Sequence, residues 1–293
     1  TLQYELSYTN LLNMLDLANV PILRTERKLD DPFIIVGGPC AYNVEPISDF
    51  VDIAVLGEGE EVNLEILNAY KEWKKNKTTR EDFLYQISSI EGVYIPSFYD
   101  VTYNEDNTVK AVVPNRENIP ANPRKRIIKD VENVIYPEKL IVPFIETVHN
   151  RVVLELFRGC TRGCRFCQAG MIYRPIREKS VDRLKEIVDK LVKSTGYDEI
   201  SLSSLSTSDY SKLSELTDYL VNEYSSKNIG ISLPSLRLDN FSMEIAEKIQ
   251  QVRKSGLTFA PEAGTQRLRD VINKNVTEED LMDSVGAAFD SGY

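Results

Sequence analysis

The apolar residues of the first ninety positions form two kinds of run. Residues 8–20 repeat at helical spacing and predict an amphipathic helix. Residues 33–36 and 51–56 are short, continuous apolar runs, and each leads into a turn that contains glycine. Continuous apolar runs are typical of parallel strands that are covered on both faces. A helical repeat to about Lys75 follows, so the pattern predicts an α/β domain over residues 1–90.

Glycine turns follow both predicted strands of this domain. Gly37-Gly38-Pro39 ends the first strand, and Gly57-Glu58-Gly59-Glu60 ends the second. Ligands of α/β domains usually bind at the carboxyl ends of parallel strands, which is where these turns lie. The next helix is predicted to face the core with Leu64, Leu67 and Tyr70.

The middle of the chain has a different pattern. Residues 92–113 alternate between apolar and polar positions on both sides of an Asn-Glu-Asp-Asn turn, which predicts a solvent-edged hairpin. Residues 114–150 contain five prolines and no clear period. We therefore interpret residues 91–150 as a hairpin followed by a linker.

The α/β rhythm returns from Arg151. Four apolar runs predict strands, and helical repeats separate them. The predicted strands are 152–157, 199–202, 229–233 and 257–260. The predicted helices are one from Ser180 with Val181, Leu184, Ile187 and Leu191 facing inward, then 210–226, 241–254 and one from a Thr277–Asp280 capping box. Such strand–helix units are typical of the first half of a (β/α) barrel. A closed eight-unit barrel needs about 200 residues or more, so residues 151–293 predict a partial barrel and the sequence reads as a fragment at both ends.

Composition limits the classes of function. Hydrophobic residues make up 42% of the chain and charged residues 27%, and the formal net charge is −10. These values indicate a globular protein that is not a general binder of polyanions. We find neither a membrane-spanning run nor a secretory signal, so we expect a cytoplasmic location with no membrane partner.

Three of the four cysteines lie within eight residues, at positions 160, 164 and 167. A cluster this tight in an intracellular protein indicates metal or redox chemistry. Thiolates hold iron–sulfur clusters, and a four-iron cluster with three protein ligands keeps one iron open. Gly159 and Gly163 are predicted to let the backbone of this loop wrap closely. The alternative is structural zinc, which prefers four ligands. Cys40 and His149 are then the nearest remaining candidates, and both lie outside the loop.

The segment from Cys160 to Cys167 has the spacing C-x-x-x-C-x-aromatic-C directly after a predicted strand, and in this it resembles the radical S-adenosylmethionine (SAM) superfamily. The resemblance implies a 4Fe–4S cluster whose open iron binds the methionine end of SAM. It also implies reductive cleavage of SAM to a 5′-deoxyadenosyl radical. Phe166 matches the aromatic residue that lies near the adenine in that family.

Further SAM contacts follow from the same resemblance. Ser204 and Ser206 occupy the place of a Gly-Gly-Glu segment that receives the methionine amino group in the family, and here the glycines and glutamate are replaced. Arg237 follows the third predicted strand and is suited to a carboxylate. Glu262, within Pro-Glu-Ala-Gly-Thr, follows the fourth predicted strand and resembles a Glu-Ser/Thr-Gly segment of cobalamin-linked members.

The first domain resembles the cobalamin-binding α/β domain that precedes many radical SAM cores. Gly37, Gly38, Gly57 and Gly59 match the glycine turns that line the corrin in those proteins. The Asp-x-His-x-x-Gly motif whose histidine ligates cobalt is absent, and His149 is the single histidine of the sequence.

The sequence thus predicts a radical SAM enzyme with a cobalamin-type domain, distantly similar to methylthiotransferases. The expected reaction is methyl transfer to a macromolecule, RNA or protein, with a flavodoxin or ferredoxin as reductant. Five arginines around the cysteine loop favour an anionic partner, although pairing with nearby acids explains them equally well. The alternative function is a non-catalytic iron–sulfur or zinc module that acts as a sensor or binds a partner.

Overall fold

The computed structural model describes residues 1–76, 78–145, 147–240, 243–249, 252 and 256–292. The chain divides into two compact units, Thr1–Ile128 and Lys129–Tyr293. Each unit has its own hydrophobic core. None of the helices within the described ranges combines the length and apolar character needed to cross a membrane.

The sheet of the first unit has three strands in the order β1-β2-β3. They are β1 (Ile35–Gly37), β2 (Ile53–Val55) and β3 (Val93–Tyr94). The first two strands are parallel, as their continuous apolar runs predicted, and β3 pairs antiparallel with β2. The prediction that placed Val93 in the hairpin was therefore wrong. The hairpin itself is confirmed and is formed by β4 (Tyr99–Tyr103) and β5 (Val109–Pro114).

Three α-helices fall within the described residues of the first unit: α1 (Ser7–Leu17), α2 (Gly59–Asn76) and α3 (Arg80–Ile87). The predicted inner face of α2 was wrong at Leu64 and Leu67, which are 55% and 51% exposed, but correct at Tyr70, which packs against the core. Val62, Ile66 and Trp73 are buried instead. The aromatic cluster of Phe33, Tyr70, Trp73 and Phe83 fixes this rotation, with ring centroids 4.7–6.2 Å apart.

The second unit is built on a parallel sheet in the order β10-β9-β6. Its strands are β6 (Val152–Glu155), β9 (Glu199–Ser203) and β10 (Gly230–Ser232). A two-stranded antiparallel pair, β7 (Phe157–Arg158) and β8 (Arg177–Glu178), lies at the base of the cysteine loop. The sequence pattern did not predict this pair.

Six helices of the second unit fall within the described ranges. They are α4 (Ala169–Ile172), α5 (Val181–Thr195), α6 (Leu213–Tyr224), α7 (Met243–Ile249), α8 (Gln266–Val271) and α9 (Glu278–Asp290). The predicted inner face of α5 is confirmed, since Val181, Leu184, Ile187 and Leu191 are all buried. The capping box of Thr277 and Asp280 at the start of α9 is also confirmed.

The fourth predicted strand is absent. Residues 257–260 are described and adopt no strand, and their exposure alternates between intermediate and exposed. A strand needs a neighbour to satisfy its backbone groups, and none of the described strands pairs with this segment. The predicted helix 241–254 is described only at 243–249 and 252, and its remaining residues lie outside the described part. The sheet is open, which confirms a mixed α/β fold with a partial barrel.

Candidate metal centre

Three free thiols occupy the loop that follows β6 and β7. Cys160, Cys164 and Cys167 are partly exposed and form no disulfide. Their thiols are thus accessible to a metal, whereas Cys40 is buried in the core of the first unit. The Cys167 amide donates to the Cys164 carbonyl over 3.1 Å, which turns the chain between the last two cysteines.

Two glycines shape this loop, as the sequence predicted. Gly159 has φ +92°, and a Cβ at that position would lie 2.6 Å from the Pro175 carbonyl oxygen. Gly163 has φ +70°. Both backbones adopt a conformation that glycine accepts at little cost, so the chain can reverse directly before Cys160 and Cys164.

A buried ion pair supports the base of the loop. The Lys179 ammonium donates to a Glu155 carboxylate oxygen over 2.6 Å, and the Lys179 side chain is only 1% exposed. Arg158 donates to the same carboxylate over 3.0 Å. Burial raises the pKa of Glu155, but hydrogen bonds from Arg158 and Lys179 outweigh burial and lower the pKa overall. The sequence interpretation missed this support, because Lys179 lies 24 positions from Glu155 and the two residues share no motif.

The segment after α8 clamps the loop from another side. Asn273 donates its side-chain amide to the carbonyl oxygen of Gly163 over 2.9 Å. The Arg165 amide donates to the Ile272 carbonyl over 2.9 Å, and its guanidinium donates to the Val271 carbonyl over 2.7 Å. Asn273 has φ +54°, which asparagine tolerates better than most residues. Side-chain and backbone bonds thus fix the stretch between Cys160 and Cys167.

Arg162, inside the loop, is the centre of a charged network. It pairs with both carboxylate oxygens of Asp209 and donates to Asp239 over 2.8 Å. Burial raises the pKa of Asp209, but the Arg162 and Ser206 hydrogen bonds outweigh it and lower the pKa. The hydrogen bond and charge of Asp209 raise the pKa of Arg162. The network joins the loop to the chain that follows β9 and β10.

Four of the predicted SAM contacts lie beside this network. The Ser206 hydroxyl is buried and donates to Asp209 over 2.6 Å, and the Ser204 hydroxyl lies 3.1 Å from that of Thr207. Arg237 donates to Asp239 over 2.8 Å and to the Lys274 carbonyl over 2.8 Å. Glu262 accepts from the Lys274 ammonium over 3.3 Å. Glu262 follows no strand, contrary to the interpretation that placed it there, and it has φ +67°.

Phe166 is the fifth predicted contact, and its ring is 53% exposed. The Lys274 ammonium lies 5.9 Å from the ring centroid, within the range of a cation–π contact. Lys274 therefore links Phe166, Glu262 and, through its carbonyl, Arg237. The sequence interpretation did not identify Lys274, since a single lysine after a helix carries no signal of its own.

The arginines around the loop are engaged in its own structure. Arg158 and Arg162 pair with acids, and Arg165 bonds the clamp segment. Arg174 donates to the Cys160 carbonyl over 3.4 Å, and Arg177 donates to the Pro175 carbonyl over 3.2 Å. These contacts account for the positions of all five without an anionic partner.

The four glycines that match the corrin-lining turns lie against the first unit's own chain. A Cβ on Gly57 would lie 2.1 Å from the Arg126 carbonyl oxygen, and one on Gly38 would lie 2.7 Å from the Leu2 carbonyl oxygen. The Gly37 carbonyl accepts a hydrogen bond from the Leu2 amide over 2.7 Å. Gly59, in the first turn of α2, lies next to the Asn63 side chain. The chain's own backbone thus covers Gly38 and Gly57.

The cysteine loop fits a cluster better than a single ion. Across the described ranges, no three side chains of His, Cys, Asp or Glu are arranged to hold one metal ion. The ligands of a single ion converge on that ion, whereas the thiolates of a four-iron cluster each bind a different iron. A loop of three accessible thiols therefore has the donor set of a cluster with an open iron.

Two family comparisons match this arrangement. Residues 1–96 match the family described as radical SAM proteins, N-terminal, and residues 154–293 match the radical SAM superfamily. The second match contains the cysteine loop, its clamp and the Arg162 network. The chain belongs to the radical SAM superfamily. The family implies a 4Fe–4S cluster and SAM as cofactors.

Curated relatives extend the radical SAM match along nearly the whole chain. An uncharacterised protein of Methanocaldococcus jannaschii is 30% identical over 292 residues, which cover 98% of this chain and 54% of the relative. A putative methylthiotransferase of the same organism is 26% identical over 253 residues, covering 78% of this chain and 54% of that protein. The chain thus spans about half the length of the curated relatives it matches.

A solved radical SAM structure shares the fold. The methyltransferase TsrM from Kitasatospora setae, solved with its tryptophan substrate and the SAM analogue aza-SAM, aligns with a TM-score of 0.53. The alignment covers 90% of this chain and 48% of TsrM at 14% identity. At this identity the likeness concerns the arrangement of helices and strands.

Proposed function

We propose that Cys160, Cys164 and Cys167 ligate a 4Fe–4S cluster and that SAM binds its open iron. The observation that carries the proposal is the accessible three-thiol loop held by Arg162 and Asn273 at the end of a parallel strand. When bound, the cluster would supply one electron that breaks the bond between sulfur and C5′ of SAM, which gives methionine and a 5′-deoxyadenosyl radical.

The proposal gives the chain's own residues binding roles. Phe166 offers an exposed aromatic face for the adenine. Arg237 offers a cation for the methionine carboxylate, and Glu262 accepts hydrogen bonds from the ribose. Ser204 and Ser206 stand where the family receives the amino group. Binding through Arg237 or Glu262 has to compete with their present partners, Asp239 and Lys274.

The reaction we propose is methyl transfer to a macromolecule, RNA or protein. TsrM is a methyltransferase, and one relative is a putative methylthiotransferase. Methylthio transfer usually requires a second cluster. Outside the loop, residues 1–293 contain only Cys40, which is buried, so methylthio transfer has no second set of cysteines within these residues. A flavodoxin or ferredoxin as reductant and a cytoplasmic location are further parts of the proposal, since a reducing compartment keeps thiols free.

We also propose the functional division of the chain into residues 1–90, 91–150 and 151–293. The last segment holds every residue assigned to the cluster and SAM. The role of residues 1–90 in cobalamin binding stays a prediction. Gly38 and Gly57 offer no open cradle, so these two glycines do not fit the corrin and we derive no step through it. Titration with hydroxocobalamin, followed by its visible spectrum, tests binding by any other route.

Reductive cleavage of SAM tests the proposal directly. The cluster is reconstituted anaerobically in the full-length protein, which is then incubated with dithionite and SAM, and 5′-deoxyadenosine is measured. We expect 5′-deoxyadenosine from the wild type and none above background from Cys164→Ala. A cluster-containing wild type that yields no 5′-deoxyadenosine, and whose cluster spectrum SAM leaves unchanged, would support the non-catalytic sensor instead.

A further inference from the structure

The first unit contains an open cavity of about 320 Å³, which we call the arginine cavity. This volume lies at the lower end of the range for small-molecule sites. Six charged residues line it, four of them arginines: Arg24, Arg27, Arg80, Arg116, Asp52 and Glu81. Cations therefore exceed carboxylates, although the chain as a whole has a net charge of −10.

Two of the arginines hold the wall of the cavity. The buried Arg27 donates to Asp52 over 2.8 Å, and its other bonds go to backbone carbonyls. Arg80 donates to the second oxygen of Asp52 over 3.2 Å and lies 3.8 Å above the Phe33 ring. Both Arg27 and Arg80 thus pair with the Asp52 carboxylate, and we assign these two arginines structural roles.

The other two arginines have donors to spare. Arg24 donates only its Nε, to the Ser48 carbonyl over 3.1 Å, and its terminal nitrogens bond to nothing within the described ranges. Arg116 bonds Glu81 through one nitrogen, and its guanidinium lies 4.7 Å above the Phe98 ring, which fixes its plane. Glu81 is more than half exposed and is the one acid opposite this pair.

A planar guanidinium group with free donors can bind two phosphate oxygens through two parallel hydrogen bonds. We propose that the arginine cavity binds a small anionic ligand that carries a phosphate group, through Arg24 and Arg116. A nucleic-acid strand requires an extended charged groove, so a concave site of this volume favours a small phosphate ester. The proposal is independent of the cluster, because every residue that lines the cavity belongs to the first unit.

The test is a calorimetric titration of the full-length protein at low ionic strength with adenosine 5′-monophosphate, and separately with inorganic phosphate. We expect binding of the monophosphate, weakened about tenfold or more by Arg24→Gln and by Arg116→Gln, since each removes a charge-assisted hydrogen bond. Glu81→Gln should tighten binding, because it removes the opposing charge. Binding of inorganic phosphate with the same variant pattern supports the site and assigns its recognition to the phosphate alone.

The matched control is Arg124→Gln, which removes an exposed arginine of the same unit outside the cavity. It should bind like the wild type. Trp73 is the only tryptophan of the sequence and is buried in the first unit, so its fluorescence shows whether each variant is folded. Equal affinities of the wild type and the folded Arg24→Gln and Arg116→Gln variants overturn the proposal. So does a protein that binds neither phosphate probe, whether or not it binds a short oligoribonucleotide.

Discussion

Asn273 donates its side-chain amide to the carbonyl oxygen of Gly163 over 2.9 Å, although 110 positions separate the two residues in the sequence. The same amide lies 3.4 Å from the Arg162 carbonyl. One side chain thus holds the two residues that precede Cys164. The conformation of the proposed ligand loop therefore depends on a residue far outside the cysteine motif.

Replacing Asn273 tests this dependence. Asn273→Gly keeps the positive φ accessible but removes both hydrogen bonds, so we expect the reconstituted cluster to be lost faster to a chelator. Each lost hydrogen bond should cost the loop about 1 kcal/mol. Asn275→Gly is the matched control, because Asn275 also has a positive φ and is exposed. The clamp has no such role if both variants release iron at the wild-type rate.

Cluster loading should depend on each loop cysteine. Anaerobic reconstitution should give about one 4Fe–4S cluster per wild-type chain, and Cys160→Ala, Cys164→Ala or Cys167→Ala should each abolish it, since a thiolate ligand is lost. Cys40→Ala should load normally, because Cys40 is buried in the first unit. Iron and sulfide content are the measurements. Full loading of Cys164→Ala contradicts the ligand assignment.

Glu155→Gln should destabilise the second unit by about 3 kcal/mol, because the buried Lys179 would lose its carboxylate partner. Denaturant unfolding followed by circular dichroism measures this. Asp182→Asn is a suitable control, since it removes an exposed pair with Lys185 and should cost less than about 1 kcal/mol. Equal stabilities of Glu155→Gln and the wild type would show that the ion pair does not support the loop.

The same pair predicts a pH dependence. The pKa of Glu155 is lower in the folded state than its unfolded value of about 4.3. The contribution of the pair is therefore fully present above that unfolded pKa and is lost as the pH falls through the folded pKa. The fall in stability below about pH 4.3 should be smaller in Glu155→Gln than in the wild type. Identical acid unfolding curves for the two proteins go against this pairing.

The affinity of the protein for SAM should depend on Arg237 and Glu262. Arg237→Gln and Glu262→Gln should load a normal cluster but bind SAM about tenfold to hundredfold more weakly, since each removes a charge-assisted hydrogen bond. The measurement is the electron paramagnetic resonance signal of the reduced cluster, titrated with SAM. Arg267→Gln, at an exposed arginine, serves as the control. Wild-type affinity in the first two variants would reject these contacts and leave the ligand assignment intact.

Gly57→Ala should destabilise the first unit by about 2 kcal/mol or more, because the residue has φ +107° and its Cβ would overlap the Arg126 backbone. Gly37→Ala is the control in the same sheet, where a Cβ finds only ordinary contacts at 3.8 Å and beyond. Trp73 fluorescence during denaturant unfolding compares the two. Equal stabilities would mean that the Arg126 segment does not pack on Gly57.

The local pattern of apolar residues predicted correctly those elements in which the buried positions recur at a regular spacing. The inward face of α5 was correct at all four positions because its apolar stripe packs directly on the sheet. The face of α2 was wrong at Leu64 and Leu67 because the aromatic cluster around Trp73, formed with residues from other elements, determines its rotation. Residues 257–260 have the composition of a strand, but composition cannot supply the neighbouring strand that a ladder requires.

The proposed site was predictable only where a motif is continuous in sequence. The cysteine spacing and the loop glycines pointed to the loop at once. The residues that fix the loop were not predictable, because Lys179, Asp209 and Asn273 act across tens to more than a hundred positions. Their residue types are ordinary, and only the folded chain brings them to the loop.

The distance in sequence between Asn273 and Gly163 means that the cysteine loop leaves the ribosome before the residue that fixes it. A ribosome releases the chain from its N-terminus at about 5–20 residues per second, so the cysteines emerge several seconds before their clamp. During that interval the thiols are exposed on a loop that lacks its final contacts. Cluster delivery to a finished loop must therefore follow the emergence of Asn273, and a chain that stops before this residue carries all three cysteines without the contact that fixes them.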